Sequence, residues 1–264
     1  MTRPALRSAL ALPLAAALAL AACGDSAPTG PQASPEALAL IQAAQEAHGT
    51  GALEGATLHF TFRGDPFEAT RDGGAFRYAR TTTDSLGRTV VDALTNAGLT
   101  RTVDGEAVPL AEDEAGRIET AVNSVVYFAT LPAPLTDAAV QARTLGRDSV
   151  AGEAYERLEV TFAEDGGGRD WEDRYLYWLH PERGTVDYLA YTYALAPGAS
   201  GANDTGHRFR RVIGTADAGG FRVQDYANLT ADSLGALEEY PAALARGATR
   251  EVSEVRTEDA RLER

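Results

Sequence analysis

Two kinds of hydrophobic pattern divide the chain. Residues 35–48 and 112–130 carry apolar side chains three or four positions apart, which is the spacing of one helical face. Ser34 and Pro35 supply a cap and a first turn for the earlier helix, and Gly49 supplies its end. The sequence therefore predicts one amphipathic helix near the start of the chain and a second one in the middle.

Most of the remaining chain alternates apolar and polar residues, as in Leu58, Phe60 and Phe62, which predicts strands with one buried face. Short turns such as Asp72-Gly73-Gly74 separate them. Because such links leave no room for crossover helices, we expect antiparallel neighbours. The spacing predicts a mainly antiparallel β fold (α+β) of about ten strands with a few helices. Residues 248–262 fit either a last strand or a helix.

Composition and charge narrow the class of protein. A hydrophobic fraction of 44% is enough for a sizeable core. The net charge of −14, with every basic residue an arginine, argues against a nucleic-acid partner. The one dense basic run, residues 207–211, is interpreted as a strand with a solvated side. A single cysteine excludes an internal disulfide framework.

The first residues have the pattern of an export signal. Arg3 and Arg7 precede an apolar stretch over residues 9–22, which is too short for a membrane span. The stretch ends in Leu20-Ala21-Ala22-Cys23-Gly24, which resembles the bacterial lipobox. This resemblance implies removal of residues 1–22 and attachment of lipid, palmitate included, to Cys23. The alternative is an ordinary secretory peptide with a cysteine beside the cleavage site by chance.

The lipobox resemblance also implies a location. Lipid on Cys23 would anchor the protein to a membrane of the cell envelope. Gly24 stands where an Asp would retain the protein at the inner membrane, so we expect the outer membrane, with the protein facing the periplasm. Residues 23–34 are rich in Pro, Gly and Ser and are predicted to be a flexible tether. Residues 35–264 are predicted to form a single domain.

Two local stretches carry a family resemblance. Residues 70–78, Thr-Arg-Asp-Gly-Gly-Ala-Phe-Arg-Tyr, are similar to a hairpin of the periplasmic lipoprotein carriers and the outer-membrane lipoprotein receptors, although Asp72-Gly73 stands where proline is expected. The strand over 175–180 and its turn through Pro181-Glu182-Arg183-Gly184 resemble that family's central hairpin. The resemblance implies an unclosed β-barrel, or strongly curved sheet, covered by the two predicted helices.

A closer resemblance, spanning most of residues 36–240, is to an uncharacterised family of bacterial lipoproteins, through phrases such as Ala121-Val122-Asn123-Ser124-Val125 and Trp171-Glu172-Asp173. It implies no assigned activity. The barrel fold implies a concave apolar cavity for acyl chains or another hydrophobic ligand. The alternative is that the aromatic residues simply fill the core.

The sequence contains few candidate catalytic or metal-binding residues. Asp165, Asp170, Glu172 and Asp173 surround a Gly-rich turn and are weak candidates for calcium ligands, because hard cations prefer oxygen. The alternative is a solvated hairpin. The four histidines lack metal-ligand spacing, and the nucleophile elbow and the phosphate-binding loops are absent from the sequence. His59 is interpreted as a polar-face residue. We therefore expect no cofactor and no catalytic residues.

Three hypotheses follow from these observations. The first is a non-enzymatic envelope lipoprotein that binds a hydrophobic ligand, a lipid or a lipidated partner in the concave side of a half barrel. The second is a structural or interaction lipoprotein with a filled core and no ligand. The third is an uncharacterised enzyme.

Overall fold

The computed structural model describes residues 30–194, 205–232 and 234–264. Its strands form two sheets. The large sheet consists, in spatial order, of β1 (Gln32–Ala33), β8 (Val140–Val150), β9 (Glu153–Phe162), β10 (Tyr175–Leu179), β11 (Val186–Ala194), β12 (Thr205–Ala218), β13 (Phe221–Ala231) and β14 (Thr249–Val255). The small sheet consists of β15 (Glu258–Glu263), β2 (Thr57–Phe62), β3 (Asp65–Asp72), β4 (Ala75–Thr83), β5 (Thr89–Thr95), β6 (Gly98–Val103) and β7 (Glu106–Val108).

The described residues also form three α-helices and three short 3₁₀ turns. They are α1 (Pro35–His48), α2 (Glu112–Ala129) and α3 (Tyr240–Ala245), together with 3₁₀ turns at Thr50–Leu53, Ala133–Thr136 and Leu237–Glu239. Both long helices begin where the sequence predicts, and α2 ends one residue before the predicted Thr130. None of the helices that the structure describes has the length and apolar character needed to cross a membrane.

The fold class predicted from the sequence is confirmed. All strand pairs are antiparallel except β1 with β8. Between β14 and β15 the chain passes from the large sheet to the small one, and within the described residues neither sheet closes on itself. The described residues form fifteen strands, more than the ten expected, because very short edge strands such as β1 and β7 carry too few residues to show an alternation. Residues 248–262, ambiguous in sequence, form β14 and most of β15.

Local interactions explain the ends of α1. The Ser34 hydroxyl accepts a hydrogen bond from the Ala37 amide at 3.1 Å, and Pro35 occupies the first turn. Gly49 ends the helix in the left-handed conformation, with φ of 68°. A Cβ atom on Gly49 would lie 1.9 Å from the carbonyl oxygen of Gly220, so the close approach of α1 to the β12–β13 turn also requires glycine.

Both faces of the large sheet are covered. Ile41 and Ala44 of α1 pack against inner-face residues of β8 to β11 such as Leu158. On the outer face, Phe209 stacks on Tyr240 of α3 with ring centroids 4.9 Å apart. Strand β10, Tyr-Leu-Tyr-Trp-Leu, is accordingly buried at every position. A strand buried on both faces shows a continuous apolar run and not an alternation.

The boundary between tether and domain differs from the prediction. Gln32 and Ala33 pair in parallel with Gln141 and Ala142 of β8, so the last part of the predicted tether is held against the sheet. The amide of Ser34 continues this pairing to the Ala142 carbonyl. Residues 1–29, with the predicted signal peptide and Cys23, lie outside the described residues.

Candidate functional site

A cavity of about 590 Å³ lies between α2 and the concave sides of the two sheets. Its walls come from both sheets and from one side of the helix. The apolar and aromatic part of the lining includes Phe60, Phe67, Val125, Phe128, Tyr175 and Tyr191. A volume of this size falls within the range of ~300–1,000 Å³ that is usual for ligand pockets. The concave side is therefore not completely filled by side chains.

Helix α2 forms the cover of this cavity because its apolar stripe is wide. Ile118, Val122 and Val126 are buried against the small sheet, while Val125 and Phe128 face the cavity. The sequence predicts this stripe correctly. The side of α2 that faces the cavity also carries small residues, Ala121 among them, and these leave space beneath the helix.

Aromatic rings pack against one another in the wall of the cavity. Tyr175 and Tyr191 stack across β10 and β11 at 5.5 Å between ring centroids, and Phe128 of α2 lies 5.0 Å from Tyr191. On the small sheet, Phe60 stacks on Phe67 at 5.3 Å. Cross-strand aromatic pairs of this kind stabilise a sheet and keep its surface apolar.

A buried cation interrupts this apolar wall. Arg210 of β12 is only 7% exposed and lines the cavity, and its guanidinium carbon lies 3.6 Å from the Phe128 ring centroid. This corrects the solvated strand predicted for residues 207–211: of these residues, only Arg211 is exposed. The alternation along the strand is real, but α2 covers one face of the sheet and α3 the other.

The acidic turn lies at another part of the cavity. Of the four calcium candidates, Asp170 and Asp173 line the cavity, Asp165 lines a neighbouring groove, and Glu172 is exposed. Burial, with the nearby charges of Asp170 and Glu172, raises the pKa of Asp173 to about 7. In the part of the chain that the structure describes, no group of three or more candidate ligands is arranged to hold a metal ion.

Replacing Asp173 with asparagine is expected to stabilise the protein in neutral and alkaline solution. Because the folded pKa of Asp173 lies above the unfolded value, ionisation of this carboxyl destabilises the folded state progressively from about pH 4 to pH 7. Partial exposure screens the charge, so we expect a gain of about 1–2 kcal/mol in the free energy of unfolding at pH 8. Urea unfolding at a series of pH values measures this gain.

The control for this prediction is Asp165→Asn, because Asp165 is exposed on the same turn. The difference between Asp173→Asn and the unchanged protein should be close to zero near pH 4 and constant above pH 7. Taking this difference cancels the opposite pH dependence of His48, whose pKa burial lowers to about 4. A difference that does not vary with pH would contradict the assignment to Asp173.

The histidines lie apart from one another. His48, the last residue of α1, is buried, and its Nε2 accepts a hydrogen bond from the Val186 amide at 3.2 Å. His59 lies on a partly exposed strand face, 3.4 Å from Glu263 and 3.8 Å from Glu68. His207 is hydrogen-bonded to the hydroxyl of Tyr240. These contacts are structural ones, and His59 occupies the polar face as predicted.

A second, larger groove of about 780 Å³ lies on the other side of α2. Its lining includes Arg71, which pairs with Asp137 and donates a hydrogen bond to the Tyr78 hydroxyl at 2.8 Å. These polar groups are partnered within the protein. The first cavity, with its aromatic wall and buried Arg210, is therefore the candidate site. Sequence reasoning missed Arg210, since the run of basic residues around it has the composition of a solvated strand.

Comparison with known proteins gives a family and no activity. The model of a family of unknown function, DUF6503, matches residues 57–256. This match confirms the resemblance to an uncharacterised family that the sequence indicates. No curated protein matches the chain.

Solved structures similar to this chain include three from bacteria. A DUF1329 family protein from Desulfovibrio piger has 8% identity and a TM-score of 0.39, covering 86% of this chain and 93% of that one. A protein described as an outer membrane lipoprotein-sorting protein domain from Vibrio parahaemolyticus has 10% identity and a TM-score of 0.40, with coverage of 84% and 92%. The Mycobacterium tuberculosis lipoprotein LppX has 12% identity and a TM-score of 0.25, with coverage of 60% and 88%. Likeness at these TM-scores carries no conclusion about function.

Proposed function

The chain belongs to the family of unknown function DUF6503, and from that premise we propose that it is a non-enzymatic lipoprotein of the cell envelope that binds a hydrophobic ligand. The ligand would occupy the cavity between α2 and the two sheets. The protein would be tethered through lipid on Cys23 to the outer membrane, facing the periplasm.

The observation that carries this proposal is the cavity of about 590 Å³ with its aromatic wall. Protein interiors are normally close-packed, with few voids larger than a water molecule. The cavity beneath α2 is open to solvent and is lined by aromatic rings together with polar side chains, so it offers both room and access for a ligand. It favours ligand binding over the alternative of a structural protein with a filled core.

The sequence of the first 34 residues supports the location. The apolar stretch over residues 9–22 ends directly before the single cysteine of the chain. An unpaired thiol in an oxidising compartment would be reactive, and attached lipid removes that liability. Gln32 and Ala33 pair with β8, so a tether from Cys23 to the folded domain would be short.

Replacing Cys23 with serine is expected to release nearly all of the protein from the membrane fraction. Without the thiol no lipid can be attached, and the predicted anchor is lost. Fractionation of cells that express the full chain, together with labelling by radioactive palmitate, measures both effects. Ser26→Ala, in the same segment, should leave attachment and label unchanged. A Cys23→Ser protein that stays membrane-bound would disprove the anchor.

Native mass spectrometry of the extracted full chain tests the ligand. We expect a bound lipid-sized mass in a fixed ratio to protein, and the same mass after extraction in two different detergents. A protein that carries no such mass, and that takes up no apolar dye, would contradict ligand binding and favour the filled-core interaction protein.

A further inference from the structure

The guanidinium of Arg210 is buried in the cavity wall with unused hydrogen-bond donors. One terminal nitrogen, Nη2, donates to the Tyr191 hydroxyl at 3.1 Å. In the described part of the chain, Nε and Nη1 have no hydrogen-bond partner, and no carboxylate forms an ion pair with this side chain. Nothing in the described protein neutralises the charge of Arg210.

Such an arrangement is costly when nothing else is bound. A buried charge normally has a counter-charge and a full set of hydrogen bonds, because water can no longer solvate it. Contact with the Phe128 ring at 3.6 Å and with Tyr191 at 5.3 Å offsets part of this cost by cation–π attraction. These rings do not supply hydrogen-bond acceptors for the N–H groups of Nε and Nη1.

Arg80, another arginine of the cavity wall, differs from Arg210 in having an ion-pair partner. Arg80 pairs with the buried Asp92 at 2.9 Å, so its charge is neutralised within the protein. Arg210 instead faces Asn228 across β12 and β13. The Asn228 amide nitrogen contacts Ser253 at 3.3 Å, and its Oδ1 has no partner among the described residues. Turned over, this amide would present a further donor beside Arg210.

We propose that Arg210 is the headgroup site of the cavity and that the ligand is an amphiphile with one carboxylate and a long apolar body, of the fatty-acid class. The inference rests on the proposed function and adds the chemistry of the ligand to it. The N–H groups of a guanidinium lie in one plane and suit the oxygens of a carboxylate, and the charge of Arg210, unpaired among the described residues, attracts an anion. The apolar body would lie along Phe60, Phe67 and Val125.

The acidic residues of the cavity give the ligand one orientation. Asp170 and Asp173 line the cavity without an ion pair to Arg210. Their carboxylates disfavour an anion at their part of the wall, whereas Arg210 attracts it. A carboxylate at Arg210 would also neutralise a buried charge that has no ion pair among the described residues.

Equilibrium dialysis of the full chain with radiolabelled palmitate and with hexadecanol tests the headgroup. The two probes share a sixteen-carbon chain and differ in charge. We expect the protein to bind palmitate at least tenfold more tightly than hexadecanol. In Arg210→Met, which keeps a long side chain without charge, palmitate binding should fall at least tenfold and hexadecanol binding should stay within about twofold. Arg211→Met, at an exposed position of the same strand, should match the unchanged protein.

The outcomes separate this inference from the proposed function. Equal binding of both probes by the unchanged protein would overturn the carboxylate site and leave hydrophobic ligand binding intact. An Arg210→Met protein that retains the preference for palmitate would overturn the role of Arg210. Failure to bind either probe would contradict both proposals. The comparison of probes on the unchanged protein decides the matter even if Arg210→Met does not fold.

Discussion

Replacing Asp92 with asparagine is expected to lower the free energy of unfolding by about 3 kcal/mol, the largest stability effect that we predict. Asp92 of β5 is completely buried. It accepts hydrogen bonds from Arg101 at 2.7 and 3.1 Å and from Arg80 at 2.9 Å. Asparagine has nearly the same size but no charge, so Arg80 would lose its counter-charge and Arg101 would keep only its pair with Glu114. Urea unfolding at pH 7 measures the change.

The matched control is Glu254→Gln, because Glu254 and Arg256 form an exposed pair whose loss should cost less than about 1 kcal/mol. The pH dependence of the free energy of unfolding provides a second measurement. Burial alone would raise the pKa of Asp92, but the hydrogen bonds and charges of Arg101 and Arg80 outweigh burial and hold this pKa below its usual value. The stabilisation is therefore present above the unfolded pKa and disappears as the pH falls through the folded pKa. Equal losses for Asp92→Asn and the control would refute this assignment.

Replacing Ala121 with phenylalanine is expected to abolish ligand binding, which is the largest functional effect that we predict outside the headgroup site. Ala121 lies on the side of α2 that lines the cavity. A phenyl ring there would occupy space that the ligand needs. Because the ring enters existing space, we expect the free energy of unfolding to change by less than about 1 kcal/mol, or to rise. Native mass spectrometry and palmitate dialysis measure the loss.

The control is Arg117→Phe, one turn earlier on α2, where the side chain is exposed and outside the cavity lining. This protein should keep its bound mass and its affinity for palmitate. Unchanged binding in Ala121→Phe would show that the ligand does not occupy the cavity. Loss of binding together with a large loss of stability would show misfolding, and in that case Ser124→Leu, a smaller change on the same side of α2, repeats the test.

The two helices illustrate what can be predicted from sequence. Ser34, Pro35 and Gly49 fix the ends of α1 through contacts within a few residues of each other, so the signal is local. The apolar stripe of α2 is equally visible, since it repeats within one element. Alternation along β9 identifies Leu158 and Val160 as inward-facing in the same way. Each of these features depends on residues that are close in the chain.

Two of the interpretations that the structure changed concern residues brought together from far apart. The sequence alternation around Arg210 correctly assigns residues to the two faces of β12. No local pattern, however, indicates that α2 packs on one face and α3 on the other. In the same way, the turn around Asp173 has the composition of a solvated loop, but burial at the cavity, with the nearby charges of Asp170 and Glu172, raises the pKa of Asp173.

The sequence by itself therefore determined the helix ends, the antiparallel strands, the general fold class and the family. It could do so because caps, turns and periodic patterns act between neighbours in the chain. The tertiary structure alone decided that a cavity remains beneath α2 and that a buried guanidinium without an ion pair among the described residues lines it. Burial and the size of a space depend on which distant elements pack together, and no short segment carries that information.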